Sequence, residues 1–184
     1  LGVARGAGRG GGIQVVVHPS GGVNPGMSLP EKRWPPARFA RVMDRLVETR
    51  EATVVLVGGP DDVAVSRQVL HAASELTTSS TVDLTSRLSI GETAALIETS
   101  DLYVGNDSGV AHLASAVGTP VVVVFGPTDP RRYGPVPGAG LAVAPSPDDG
   151  AVVDRLSEAR GSTAIEAVSV EDVWRAVDSL LPAA

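Results

Sequence analysis

Cysteine is absent from the 184-residue chain, which excludes disulfides and thiolate metal sites and agrees with a reducing compartment. Long apolar runs are missing too: the longest, such as residues 121–125, are far shorter than the roughly 20 residues that cross a bilayer. There is no excess of positive charge. The net charge of −6 speaks against a general nucleic-acid surface, although a small positive pocket is compatible with an acidic protein. No G-x-x-x-x-G-K-[ST] occurs, so P-loop chemistry lacks its lysine. The three histidines, His18, His71 and His112, show no zinc spacing. The acid pairs Asp61-Asp62 and Asp148-Asp149 are expected to cap or solvate loops, because a hard cation needs several convergent oxygens. No metal is expected.

What is present is a chain of 43% hydrophobic and 20% charged residues, enough for one compact domain with a real core. Residues 1–12 alternate Gly with Arg, carry no initiator Met, and read as an interdomain linker ahead of a domain over 13–184. Gly6, Gly8 and Gly11 formally satisfy G-x-G-x-x-G, but they precede a strand, whereas a dinucleotide fingerprint follows one and opens a helix. Short apolar runs recur at 13–18, 53–57, 81–84, 102–105 and 121–125, each separated by a segment of helical character.

Phe39, Val42, Met43 and Leu46 fall at i, i+3, i+4 and i+7, one stripe of a helix entered through Pro35-Pro36. Weaker helices are expected over 61–75 and 89–100. Val170, Val173, Trp174, Val177, Leu180 and Leu181 share one face after a Ser169 cap. The segment 144–163 has no clean period, beyond a short helix near 152–159. Alternating elements with nearly uninterrupted Val-rich strands predict an α/β, Rossmann-like parallel sheet with helices on both faces. Ligands of such folds sit beyond the carboxyl ends of the strands.

Loops 19–35, 58–62 and 106–109 leave those ends with suggestive composition and a fourth, 126–135, follows the last strand; two of these segments carry the chemistry. Gly105-Asn106-Asp107-Ser108-Gly109-Val110-Ala111-His112 reads as strand, turn and helix, capped by Asp107 or Ser108. The helix's first N–H groups lack intrahelical partners, so a phosphate in front gains hydrogen bonds and the helix dipole. Gly109 keeps the approach open, and His112 lies about one turn after Ser108. Standing alone, the same residues more often read as a helix cap and a packing histidine than as a ligand site. The second segment, residues 19–35, is long for a βα connection. Its Ser28, Lys32 and Arg33 bring donors suited to a phosphate; the bland alternative is a solvated basic spot anchored by Trp34. A Ser-His-Asp hydrolase is poorly supported, because Ser108 is not in G-x-S-x-G and no base is evident near it.

Taken together and in order, His18-Pro19, Asn24-Pro25-Gly26-Met27-Ser28, Lys32-Arg33-Trp34-Pro35, Gly58-Gly59-Pro60, Asn106-Asp107-Ser108-Gly109, His112 and Phe125-Gly126-Pro127-Thr128-Asp129-Pro130 resemble the carboxyl half of glycosyltransferase family 9, the lipopolysaccharide heptosyltransferase family. The resemblance spans roughly 13–135, with the final helix also similar. It implies the C-terminal domain of a GT-B enzyme, which holds a nucleotide-activated sugar such as ADP-heptose, while an N-terminal domain holds a glycan or glycolipid acceptor and the acidic general base. No position of this chain corresponds to that base, so these residues are expected to bind without catalysing.

By the same resemblance Lys32 faces the donor phosphates and stabilises the leaving group, with Ser28 as a hydroxyl donor in its loop. The amides of Ser108, Gly109 and Val110 complete the cradle, and Asp107 and His112 orient it or touch the sugar. Asp62 falls near an acid for the ribose and Leu88 near an apolar base contact. That pocket is expected to be aliphatic, in keeping with 3% aromatics. Departures are a Ser at position 86 where relatives commonly carry Gly, the absence of cysteine, and a longer loop between His18 and Lys32.

The expected function is therefore donor binding in an inverting, metal-independent and cofactor-free glycosyltransferase of lipopolysaccharide biosynthesis. The expected location is cytoplasmic, or peripheral at the inner face of the membrane, with no transmembrane segment and no nucleic-acid partner. The alternative is a non-catalytic nucleotide-binding or assembly module of the same fold. A sugar-nucleotide epimerase would need its own acid and base, which are not located here.

Overall fold

The computed structural model describes residues 12–21, 23–24, 27–136, 138–145 and 164–182. All of the expected linker except Gly12, and the expected helix at 152–159, lie outside the described residues.

Six strands form one sheet: β1 (Gln14–His18), β2 (Thr53–Leu56), β3 (Thr81–Asp83), β4 (Leu102–Asn106), β5 (Val121–Val124) and β6 (Gly140–Val143). Their spatial order is β3-β2-β1-β4-β5-β6, and every neighbouring pair is parallel. Five strands stand where the apolar runs predict them. The sixth was not anticipated: Gly140-Leu141-Ala142-Val143 is a thin apolar run beside Gly- and Pro-rich turns, and it becomes a strand by pairing with β5. The α/β, Rossmann-like class holds.

Helices cover both faces. On one, α1 (Pro36–Arg50), α2 (Val63–Ala72) and α8 (Val170–Leu180) enclose the larger core, where Phe39, Met43, Leu46, Val69, Val173 and Val177 meet Val15, Val17, Leu56 and Val104. On the other, α4 (Ile90–Glu98) and α5 (Gly109–Ala116) pack Ile97, Ala111 and Ala114 against Val16, Val55, Tyr103 and Val123. Alternation along each strand sends neighbouring valines to opposite cores, which is why these strands read as unbroken apolar runs. Three shorter α-helices are also described: α3 (Glu75–Ser79), α6 (Pro130–Tyr133) and α7 (Ala164–Ala167).

The single helix expected over 61–75 is in fact a 3-10 turn at Pro60–Asp62, then α2, then a break before α3. Ser74 causes the break: its hydroxyl caps α3 by accepting the Thr77 N–H, and its own N–H is taken by Asp44 of α1. Helix α8 opens on a capping box between Ser169 and Asp172, worth about 1 kcal/mol. Helix α5 is followed by Gly118 at φ 78°, a left-handed position that a side chain disfavours.

The strand order creates the crevice. From β1 the chain moves outward through β2 and β3 by way of α1 and α2 on one face. It then returns through α4 to β4 and continues by α5 on the other face. Connections therefore leave the carboxyl ends of adjacent β1 and β4 toward opposite faces, the switch point at which such sheets bind ligands.

Candidate functional site

A cavity of about 820 Å³ opens at that switch point, lined among others by His18, Lys32, Asp62, Ser108, Gly109 and Thr128. Each lining segment is brought there by the end of a strand. His18 closes β1, Gly58 and Gly59 follow β2, Leu88 lies between β3 and α4 with Ile90 opening α4, and Asp107 to Val110 follow β4.

The floor is held by Asn106, fully buried at the end of β4. Its side-chain amide donates to the carbonyls of Pro19 and Ser20 at 2.9 and 3.2 Å, and its Oδ1 accepts the Trp34 N–H at 3.0 Å. One side chain thus ties both ends of the long β1–α1 connection to β4. Trp34 is buried edge-on against Phe39, with ring centroids 5.0 Å apart, and its indole N–H donates to the Val168 carbonyl at 2.9 Å. The anchoring expected of Trp34 is therefore real. Arg33 joins it by donating to the Gly21 carbonyl at 2.9 Å, so this cation stabilises the loop.

Lys32 is the cation that reaches the cavity. Its Nζ lies 2.6 Å from Asp107 Oδ2, with side-chain exposures of 14% and 6%, and the Thr128 hydroxyl donates to the same carboxylate oxygen at 2.7 Å. Asp107 is thereby occupied, and capping of α5 falls to Ser108, whose Oγ accepts the Ala111 N–H at 3.4 Å. The N–H groups of Gly109 and Val110 precede the first intrahelical acceptor, and both residues line the cavity. The space where a Cβ on Gly109 would stand is open. His112, exposed on the first turn of α5, lines the same wall.

A second polar group faces this one. His18, 3% exposed, has Nδ1 3.2 Å from Ser108 Oγ and Nε2 3.3 Å from Asp62 Oδ2. Asp62 Oδ2 also accepts the Gly59 N–H at 2.8 Å, and it lies so close over Gly58 that a Cβ there would stand 2.7 Å from it. Burial pushes the Asp62 carboxyl up, but the hydrogen bond from His18, the nearby Ser20 hydroxyl, the His18 charge and the Gly59 N–H outweigh it and hold it at about 2. The imidazole missing from the sequence reading of Ser108 is thus supplied from 90 residues away by β1. Beneath it the buried Tyr103 phenol lies near Ser108 and Asp62 without a well-formed hydrogen bond. Burial first, and then the Asp62 charge, push its pKa up against the pull of Ser108.

Of the residues expected to form the site, the fold brings Lys32, Asp62, Leu88, Asp107, Ser108, Gly109, Val110 and His112 to one cavity. Ser28 lies on a short antiparallel ribbon, Val23–Asn24 with Met27–Ser28, and its side chain falls outside the described residues. Sequence reasoning did not name His18 or Thr128 as site residues, although both belong to the motifs it quoted. Leu88, Ile90 and Leu113 give the cavity an aliphatic wall, and Ile90 is 79% exposed there. Among the described residues no group of three or more His, Asp or Glu is placed to hold a metal ion, and no helix is long and apolar enough to cross a membrane.

The family model of glycosyltransferase family 9 (heptosyltransferase) matches residues 12–143. Lipopolysaccharide heptosyltransferase 3 of Escherichia coli is 32% identical over 153 residues, which cover 82% of this chain and 44% of that protein. Lipooligosaccharide heptosyltransferase 2 of Haemophilus influenzae is 33% identical over 107 residues, 58% of this chain and 31% of that protein. The chain thus spans a third to a half of the curated relatives it matches. In fold it is similar to the E. coli ADP-heptose lps heptosyltransferase II, with a TM-score of 0.77, 20% identity and coverage of 95% of this chain and 48% of that one.

Proposed function

The chain belongs to glycosyltransferase family 9, and from that premise we propose that its carboxyl-edge cavity binds the diphosphate of a nucleotide-activated sugar, ADP-heptose-like, as the donor half of an inverting, metal-independent glycosyltransferase. The observation that carries this reading is the convergence of the Lys32 ammonium and the open N-terminus of α5 on one cavity at the switch point.

Inverting transfer expels a nucleoside diphosphate, and fixed positive charge on that leaving group lowers the barrier. Lys32 supplies the charge, and the Gly109 and Val110 amides supply hydrogen bonds together with the helix dipole. Asp107 holds Lys32 in place before the ligand arrives. An incoming phosphate competes for the ammonium while Thr128 retains the carboxylate. His112 stands at the cavity wall where it meets the sugar or the outer phosphate, and the aliphatic wall of Leu88, Ile90 and Leu113 suits a nucleobase. The acceptor, a lipopolysaccharide-type glycolipid, and the base that deprotonates it belong to a partner domain outside this sequence. These residues alone bind the donor without transferring it, and the assembled enzyme works at the inner face of the membrane.

Calorimetric titration with ADP-glucose and its UDP and GDP counterparts tests the reading. Lys32→Ala is expected to cost about 1.5 to 3 kcal/mol of affinity for the sugar nucleotide that binds, the scale of a charged hydrogen bond. Unchanged affinity would remove the role assigned to Lys32 and the reading with it.

A further inference from the structure

We infer that His18, held by Asp62, is a positioning residue that sets the direction of the Ser108 hydroxyl and thereby couples phosphate binding at the start of α5 to the uptake of a proton. The inference rests on the donor-phosphate reading of the cavity and adds to it a residue and a protonation state.

The geometry leaves few choices. Asp62 Oδ2 is an acceptor, so the Nε2 that faces it carries a hydrogen whether the ring is neutral or charged. Only Nδ1, 3.2 Å from Ser108 Oγ, changes with protonation. In the neutral ring Nδ1 is a bare lone pair, and Ser108 donates its hydroxyl hydrogen to it. With the Ala111 N–H on one lone pair, Ser108 then has only the other to turn toward the cavity, and it repels an anion. In the charged ring Nδ1–H donates instead. Ser108 Oγ now accepts from Nδ1 and from the Ala111 N–H, both of its lone pairs are taken, and its hydrogen is free to point at a phosphoryl oxygen beside the Gly109 and Val110 amides. A phosphate therefore binds the protonated form better by gaining both a donor and a nearby positive charge.

The groups facing His18 are few. Asp62 comes from the turn before α2, Ser108 from the start of α5, and the Tyr103 phenol from β4, which stays neutral because it is buried. Lys32 and Asp107 line the same cavity as an ion pair with each other, and the exposed His112 imidazole stands on its wall.

The test is calorimetry of ADP-glucose binding to the 184-residue chain from about pH 5.5 to 8.5, the range in which an imidazole titrates, in buffers of different ionisation heat. The diphosphate of this probe keeps a constant charge over that range, so proton uptake reports on the protein. Wild-type affinity is expected to fall roughly tenfold as pH rises, the scale of losing one charge-assisted hydrogen bond, with a fraction of a proton taken up on binding. In a His112→Gln background, which removes the other imidazole of the cavity wall, His18→Gln and Ser108→Ala should each bind with a flat pH profile and no proton uptake. Either variant suffices if the other fails to fold. Lys32→Ala should bind more weakly at every pH yet keep the slope.

A flat wild-type profile, or a slope that survives in both His18→Gln and Ser108→Ala in the His112→Gln background, overturns the inference. If Lys32→Ala still weakens binding in that case, the donor-phosphate reading stands without it. Absence of any wild-type binding, or an affinity indifferent to Lys32, overturns both.

Discussion

Asn106 and Asp107 are neighbours in one turn, both buried, both polar, and they do opposite work. Asn106 is neutral, and each of its three hydrogen bonds runs to backbone. Asp107 is charged, and its partners are two side chains in the cavity wall, Lys32 and Thr128. Backbone partners cannot leave without unfolding the segment they belong to, so the amide is a fastener. Side-chain partners can rotate away, so a carboxylate holding an ammonium keeps it ready to be exchanged for a ligand. Polar burial at a cleft thus has two meanings, and the nature of the partner separates them.

That contrast can be broken first at its structural side. Asn106→Ala leaves two carbonyls and one N–H unpaired at a fully buried position and is expected to cost about 3 to 5 kcal/mol of stability by urea unfolding. A loss below about 1 kcal/mol would mean that water or repacking replaces the amide and that the fastener role is wrong.

On the exchangeable side, the double variant Lys32→Met with Asp107→Leu is expected to lose sugar-nucleotide affinity by about 100-fold or more. Its stability should be unchanged or slightly raised, because a buried ion pair replaced by apolar groups of similar size often gains. Calorimetry and urea unfolding on one sample give both numbers, and a fold lost together with binding would make this pair structural as well.

Acid sharpens the comparison next. Asp62 is held at about 2 in the folded chain, below the roughly 3.9 of an unfolded aspartate. Its ionised form therefore stabilises the fold above about pH 4, and that contribution disappears as pH falls toward 2. About 1 to 2 kcal/mol should be lost across this window after allowance for solvent screening. Asp62→Asn should lack this component, seen as a shallower fall of urea midpoints with pH than in the wild type.

The smallest effect is expected far from the cleft. Arg45 pairs with Glu171 at 2.7 Å, both more than a third exposed, and stacks 4.4 Å from the centre of the Trp174 ring. Arg45→Ala should change stability by no more than about 1 kcal/mol and leave ligand affinity untouched.

How legible each part was follows from the range of the forces involved. The strands and α1, α5 and α8 were readable because burial on two faces writes itself as valine runs and as i, i+3, i+4 stripes within a dozen residues. The β6 strand was not, since Gly140 to Val143 acquires its conformation from β5. The break between α2 and α3 escaped because the Asp44 that takes the Ser74 N–H sits 30 residues earlier. At the site, the motifs located the cavity walls, whereas the exchange partners of each polar group stayed hidden.

From its own order of residues this chain determined an alternating α/β domain, an open helix start after Asn106-Asp107-Ser108, and a lysine in a long loop, since propensity, capping and apolar period act locally. Tertiary structure decided that Lys32 faces Asp107, that His18 stands between Ser108 and Asp62, and that Asn106 fastens the loop. Those contacts join residues dozens of positions apart, and only the crossing of the chain between β1 and β4 brings them within hydrogen-bond distance.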